Sequence, residues 1–440
     1  MRPSAIVIGA GIAGLAAADR LVARGFTVTV FEAQPRVGGR MSTDVLEGCR
    51  MDRGAQFLST GYPAILSLID RCGLSGELGT PTPWAGVVRS GQVRRIHAGR
   101  PWTVARSGLL RWRDLARLLL PAAVDVVRAR KASLGDYADW QAWDDEDAAH
   151  WITRRFGHEA LEYVFEPMLE GLYFQAPEGS SRTLPLWMWS FGARRHRIVA
   201  LRHGMGSLTS ALAQRLDVRL STPVTALHED ADGVRVETPA GSARADCAVL
   251  ATTASIARRL DPGADAPAQA LLATDYSTTL NLGLVLAQGI AGSRIPEDVY
   301  GVLIPRQERR VIAAISVESR KSPDLVAQGE LLNVMLDGRA GVRLIDAEDS
   351  AVLAAVLPEL ERYVPGVRAQ LAHAQVCRWR EAEPRSPVGR AHAVGAYRAA
   401  LPSRPRILLA GDYTSTPTTE GAAQSGLWAA ERLTVAYQGR

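Results

Sequence analysis

One stretch restricts this chain more than any other. It runs Ala5-Ile6-Val7-Ile8, then Gly9-Ala10-Gly11-Ile12-Ala13-Gly14, then an alanine-rich helical segment, then Thr27-Val28-Thr29-Val30-Phe31, which ends in Glu32. The order reads as strand, tight turn, helix, strand. Gly9 allows the sharp turn, Gly11 lets backbone approach a pyrophosphate, and Gly14 lets the helix pack close on the sheet. The phosphates sit on the helix N-terminus, where free N–H groups and the helix dipole favour negative charge. Glu32 falls near the ~20-residue spacing of the acid that hydrogen-bonds a ribose 2′-hydroxyl. Its carboxylate disfavours the 2′-phosphate of NADP.

The continuation, Glu32-Ala33-Gln34-Pro35-Arg36-Val37-Gly38-Gly39-Arg40, supplies a second glycine pair and two arginines, hence another close backbone approach and fixed positive charge beside a diphosphate. At the far end, Arg406-Ile407-Leu408-Leu409-Ala410-Gly411-Asp412-Tyr413 reads as a buried strand ending in Gly-Asp, and Glu420-Gly421-Ala422-Ala423-Gln424-Ser425-Gly426 opens a helix. Together these motifs resemble the flavin-containing amine oxidase superfamily, which includes protoporphyrinogen oxidase and the phytoene desaturases. The resemblance spans the chain and is densest in motifs at its two ends.

The resemblance implies an α/β fold: a Rossmann-like FAD-binding domain of the glutathione-reductase type with a discontinuous α+β substrate domain. FAD is expected to bind extended against Gly9, Gly11, Ala13, Gly14, Glu32, Ala33, Arg36, Gly39 and Arg40. Gly54-Ala55-Gln56-Phe57 is expected to pass beside the flavin ring, with Gln56 or Phe57 on the substrate side. Val224 is expected to pair its backbone with the adenine edge, and Ala251 to end a strand near the dinucleotide. Gly411 and Asp412 are expected at the ribityl or diphosphate region. Glu420, Gly421 and Ala422 are expected to aim N–H groups at the flavin N1–C2=O edge, where negative charge develops on reduction. Trp379 is expected as a flavin or substrate wall.

A chain of 440 residues exceeds the size at which one core keeps growing, so two domains are expected. The cofactor domain is assigned to 1–80, 201–258 and 380–440, and the substrate domain to 81–200 and 259–379. The net charge of +5 comes from arginine, since Lys131 and Lys321 are the only lysines, and no basic block with interleaved aromatics points to nucleic acid. Cys49, Cys72, Cys247 and Cys377 show no metal spacing and read as reduced thiols, with no metal site. The N-terminus enters the first strand at once, leaving no room for a signal peptide. No window reaches ~18 uninterrupted apolar residues. A cytoplasmic protein is expected.

Eight of the ten tryptophans lie between residues 84 and 200, a stretch read as a mainly helical insertion. Within it, Leu109–Leu120 and Val124–Lys131 are amphipathic, with Arg111, Arg113, Arg117, Arg128 and Arg130 between apolar residues. That pattern suits an ordinary solvated helix pair or a helix lying on a membrane surface, as relatives use this region. Val218–Leu250 reads as a three-stranded meander. Strands are expected at Thr278–Leu286, Val299–Ile304 and Val311–Ser316, and helix at Ala347–Tyr363.

Phe165-Glu166-Pro167-Met168-Leu169-Glu170-Gly171-Leu172-Tyr173 resembles a segment that lines the substrate cavity in the porphyrinogen oxidase branch, which makes Tyr173 a candidate wall residue. Arg194-Arg195-His196-Arg197 reads as a solvated loop. Three departures separate the chain from simple amine oxidases. The strand matching the one that carries their flavin-side lysine, Thr278-Thr279-Leu280-Asn281-Leu282-Gly283, has none, and neither lysine is placed nearby. Thr418 stands where an aromatic cage residue is common. No cysteine lies between Arg378 and Gly411, so the flavin is expected to be non-covalent.

The expected activity is FAD-dependent dehydrogenation of a fairly large apolar or cyclic substrate at a C–N or C–C bond, by hydride transfer to flavin N5. O2 or a quinone would be the acceptor, and no protein nucleophile is assigned. The alternatives are an oxidase of secondary or aromatic amines and a flavin-binding chaperone or scaffold without turnover.

Overall fold

The apolar run Ser4–Ile8 forms the middle strand of a five-stranded parallel sheet in the computed structural model, which describes residues 2–97, 100, 102–129, 132–194 and 196–438. Across that sheet the order is Asp217–Arg219, Thr27–Phe31, Ser4–Ile8, Cys247–Leu250 and Ile407–Leu409. Three distant parts of the chain therefore build one sheet. Ser4–Ile8 and Cys247–Leu250, buried on both faces, read as continuous apolar runs, while the edge strand Asp217–Arg219 is largely exposed.

Helix Ile12–Ala23 follows the first strand, with Leu15, Ala16, Ala17, Ala18 and Leu21 all fully buried. It is apolar around most of its girth because it lies between the sheet and the last helix, Thr419–Gln438. Small residues permit this approach: a Cβ on Gly426 would stand 2.0 Å from Ala13 O. The expected meander is present as antiparallel strands Ala226–Asp230, Gly233–Thr238 and Gly241–Ala245. The ends of the stretch assigned to it, Asp217–Arg219 and Cys247–Leu250, belong instead to the parallel sheet.

A seven-stranded sheet stands apart, ordered Leu371–Trp379, Thr279–Leu286, Glu330–Leu336, Ile312–Val317, Val299–Leu303, Trp84–Arg89 and Gln92–His97. All neighbours are antiparallel except Val299–Leu303 with Trp84–Arg89. The insertion expected to be mainly helical thus opens with a hairpin that completes this sheet. Its helices come afterwards, around a cluster in which Phe156 and Phe165 stack at 5.4 Å and Trp151 meets Phe156 edge-on at 5.1 Å.

The basic amphipathic stretch forms helix Trp112–Ala129, on which Leu118 is buried while Trp112 is 74% and Val127 65% exposed. Arg130, Lys131 and Arg195, noted above within basic stretches, lie outside the described residues. Among the described residues no helix is long and apolar enough to cross a membrane.

Candidate active site

Two glycine-rich loops face each other beyond the first strand. Gly9 takes φ +105°, and Gly11 precedes the first helix with no side chain bonded to the helix's opening N–H groups. Gly38 N donates to Ala10 O at 2.8 Å, which docks the second loop on the first. A Cβ on Gly11 would meet nothing within 4 Å, and one on Gly39 only Gly11 Cα at 3.8 Å. The space before them is open, unlike that at Gly14, where a Cβ would stand 1.9 Å from Gly9 O. Ala13 is buried beneath the last helix, and Ala251 closes the rim, its carbonyl 2.7 Å from a Cβ on Gly9.

Glu32 accepts from Ala10 N at 2.7 Å and Gln34 N at 2.8 Å, so its carboxylate also sets the turn. Ala33 is exposed beside it, and Val224 is partly buried against the core. Arg36 departs from expectation: half-exposed, it pairs with Asp44 at 2.8 Å, and its charge is compensated there. A long side chain on a loop rim goes to the nearest carboxylate.

Arg40 joins the two ends of the chain. Its guanidinium bonds both oxygens of Asp412 at 2.6 and 3.1 Å and Ala382 O at 2.6 Å. Gly411 presents Asp412 from φ +144°, its N–H held by Ser425 Oγ at 2.8 Å. Buried Arg390, which the sequence reading missed, ties Ser386 Oγ at 2.7 Å to Asp412 O at 2.6 Å and Ser415 O at 3.0 Å.

Residues 52–56 hang from the seven-stranded sheet. Asn281 Nδ2 donates to Asp52 O and Arg53 O at 3.1 and 2.9 Å, Asn333 Nδ2 to Asp52 O at 2.9 Å, and Trp379 Nε1 to Arg53 O at 2.8 Å. Gly54 sits where a Cβ would be 2.5 Å from Arg40 O, and Ala55 N donates to that same oxygen at 2.9 Å. Gln56 is buried and engaged within the protein: its amide donates to Asp52 O and Gly54 O and accepts from Asn333 and Lys321, at 3.0 to 3.2 Å. Phe57 is partly exposed.

Lys321 also overturns an expectation. It is fully buried, donates to Asp52 Oδ2 at 2.9 Å and pairs with Glu318, immediately beneath the 52–56 loop. Burial works against its ammonium, but Asp52 and Glu318 together hold it above the ordinary lysine range. It stands at the end of the one-turn helix Glu318–Lys321 rather than on the matched strand, where Asn281 is found instead.

Glu420 departs too. Its carboxylate accepts from Ala64 N and Ile65 N at 2.9 and 3.0 Å, capping helix Pro63–Arg71. Gly421 N donates to Thr418 Oγ1 and Ala422 N to Thr418 O, each at 2.9 Å, so these N–H groups are engaged within the first turn. Thr418, Tyr62, Tyr173 and Glu383 gather nearby. Burial, then the charge of Glu420 and of Glu383, raises the Tyr62 phenol against the influence of Thr418. Burial again, then Tyr62 and Glu383, raises Tyr173.

A model of the family described as flavin containing amine oxidoreductase matches residues 12–434. The chain belongs to this family. FAD is its cofactor, and the protein is an FAD-dependent oxidoreductase. It is 29% identical over 464 residues, 95% of each chain, to the coproporphyrinogen III oxidase of Mycobacterium tuberculosis (strain ATCC 25618 / H37Rv). A putative protoporphyrinogen oxidase from Exiguobacterium sp. 255-15 shares the fold at TM-score 0.80 and 21% identity, covering 99% of both chains. Cyclohexylamine oxidase from Brevibacterium oxydans IH-35A shares it at 0.73 and 19%, covering 100% of both. The open cradle at Gly11 and Gly39 is shaped for such a cofactor, having no Cβ where a diphosphate must come close.

Proposed function

We propose that this family member dehydrogenates a fairly large cyclic substrate bearing nitrogen, and that FAD lies non-covalently between the glycine cradle and the 52–56 loop. The Arg40–Asp412–Ala382 joint carries this reading, because it brings the second glycine loop, the Gly-Asp end and the loop after Trp379 to one point. When bound, FAD accepts two electrons and a hydrogen from a substrate C–H bond. Gly11 and Gly39 would admit the diphosphate, and Glu32 would meet the ribose. The suspended loop Gly54–Phe57 would hold one side of the ring while Tyr62, Tyr173, Thr418 and Glu383 bound the substrate side. With these groups in place the domain partition is 1–80, 201–258 and 380–440 against 81–200 and 259–379.

The likeness to coproporphyrinogen III oxidase over nearly the whole chain makes a porphyrinogen the first substrate to try. An amine is the second reading, supported by a carboxyl and two phenols placed together in the site. Bound flavin that no candidate substrate reduces would instead favour a scaffold role.

The test starts with the purified yellow protein. Acid should release the flavin. Photoreduced enzyme mixed with oxygenated buffer should regain oxidised absorbance within about a second if O2 is the acceptor. Regain over many minutes would point to a quinone. Anaerobic mixing with coproporphyrinogen III or cyclohexylamine then shows which one bleaches the flavin, and bleaching by neither sinks the substrate reading.

Exposed Trp112 and Val127, with Arg111 79% exposed beside them, support peripheral contact of helix Trp112–Ala129 with an anionic membrane surface.

A further inference from the structure

Glu383 is held by its backbone and left alone at its tip. Its N–H donates to Ser277 Oγ at 3.2 Å, and its carbonyl accepts from Ser277 N at 2.8 Å. Ser277 Oγ in turn donates to Tyr173 O at 3.0 Å. Gln175 fixes the next residues, giving a hydrogen bond to Pro384 O at 3.0 Å and taking one from Ser386 N at 3.1 Å. The loop is therefore rigid, and it delivers a carboxyl beside Tyr173.

One oxygen of that carboxyl is unused within the protein. Glu383 Oε2 is buried and has no hydrogen-bond partner. Two cations face it, but both are engaged elsewhere: Arg40 on Asp412 and Ala382 O, Arg390 on Ser386, Asp412 O and Ser415 O. The other groups acting with it are the Asp412 carboxylate and the Tyr62 and Tyr173 phenols. A buried polar atom left unsatisfied is costly, and in a site it marks the place of a missing partner. None of the residues packed around Glu383 donates to that oxygen, so the missing donor belongs to what binds there.

We infer that Glu383 receives the proton that a substrate nitrogen releases when the neighbouring C–H bond is oxidised. This rests on the nitrogen-bearing substrate proposed above. In the step, the C–H bond breaks and its hydrogen leaves with the electron pair to the enzyme's FAD, as in the two-electron oxidation proposed above. The nitrogen closes a C=N bond, the N–H bond breaks, and an O–H bond forms on Glu383. The carboxyl returns the proton to water before the next turnover. Burial, opposed by Arg40 and reinforced by Asp412, pushes the Glu383 carboxyl up to about 8. A base near the working pH is well matched to this transfer.

Two measurements test the assignment. Wild type, Glu383→Gln and Glu383→Asp are compared by pH–rate profiles with coproporphyrinogen III and cyclohexylamine, and by infrared titration of the protonated-carboxyl band in the FAD-loaded protein without substrate. The wild-type kcat/KM should rise with pH to a plateau above about 8, because only the carboxylate accepts a proton. Glu383→Gln should lower it about 10²- to 10⁴-fold and abolish the rise, while Glu383→Asp keeps a pH limb at reduced rate. A glutamine variant that keeps the wild-type rate or the same limb overturns the inference. The infrared titration is independent of the substrate reading. A band that is lost near pH 8 and is missing in Glu383→Gln supports the assignment even if neither compound is oxidised; no such band overturns it.

Discussion

At the scale of single residues, the site divides into atoms that leave room and atoms that carry charge inward. Glu383 belongs to the second group, and its proton couples to stability. The folded carboxyl keeps its proton to about pH 8, whereas the unfolded one releases it near the ordinary value of 4.5. The folded state thus binds the extra proton, and stability falls as pH rises across that window. Apoprotein carrying Glu383→Gln should gain more in Tm over wild type at about pH 8.5 than at about pH 5, read by calorimetry. Lys321 behaves oppositely, as a cation paired with both Asp52 and Glu318, with all three side chains 0% exposed. Lys321→Met should cost about 3–5 kcal/mol in urea unfolding, because it strands two buried carboxylates. These charged residues were the least legible part of the sequence. Lys321, Glu383 and Arg390 stand alone in their segments and acquire roles only from partners far along the chain. Asn281 and Asn333 did leave a trace, since each interrupts an apolar run within a fully buried strand.

At the scale of elements, the strand–turn–helix start was readable because every requirement in it is local. Spacing alone separates glycines that serve the fold from those that serve the cofactor. Gly11→Ala should leave apoprotein stability unchanged or up to about 1 kcal/mol higher, since Gly11 has an ordinary φ of −72° and open space ahead. Its FAD affinity should drop at least about tenfold in a fluorescence titration, or about 1.4 kcal/mol. Gly14→Ala should instead weaken both, since its Cβ runs into Gly9 O. Helix Trp112–Ala129 was legible as amphipathic, and its tryptophan does face outward. Wild type should co-float with phosphatidylglycerol vesicles but not with phosphatidylcholine vesicles, and Trp112→Ser with Val127→Ser should reduce that flotation. Equal flotation by the double variant would remove this helix from the contact. The hairpin Trp84–His97 was hidden because its strands join a sheet whose other members begin some two hundred residues later, at Thr279.

At the scale of the whole molecule, the seven-stranded sheet is tied to the cofactor side of the chain by hydrogen bonds, an ion pair and an apolar cluster. Asn281, Asn333 and Trp379 reach across to residues 52–56, Lys321 pairs with Asp52, Arg40 bonds Ala382 O just past Trp379, and Leu46, Cys49 and Met51 pack on Val285, Leu331 and Cys377. A ligand seated against both should stabilise both. FAD at a hundred times its Kd should add about 2.7 kcal/mol, and thermal scans should show near-UV and flavin signals moving together. Independent transitions would mean that the sheets unfold separately. The overall α/β plan was legible from motifs at the two ends, and the suspension of the loop was not, because cross-sheet hydrogen bonds have no sequence period.

The strand at Ser4–Ile8 has as neighbours on its two sides strands that end at Phe31 and Leu250, and the next one outward is Ile407–Leu409. Arg40 waits for a partner 372 residues further on. During synthesis the first glycine turn therefore emerges long before the groups that complete its cradle. Parallel pairing of this kind is slow and leaves edges exposed meanwhile. Cofactor loading is then a late event, following release of the last helix, and the half-made chain is the form most in need of chaperone protection.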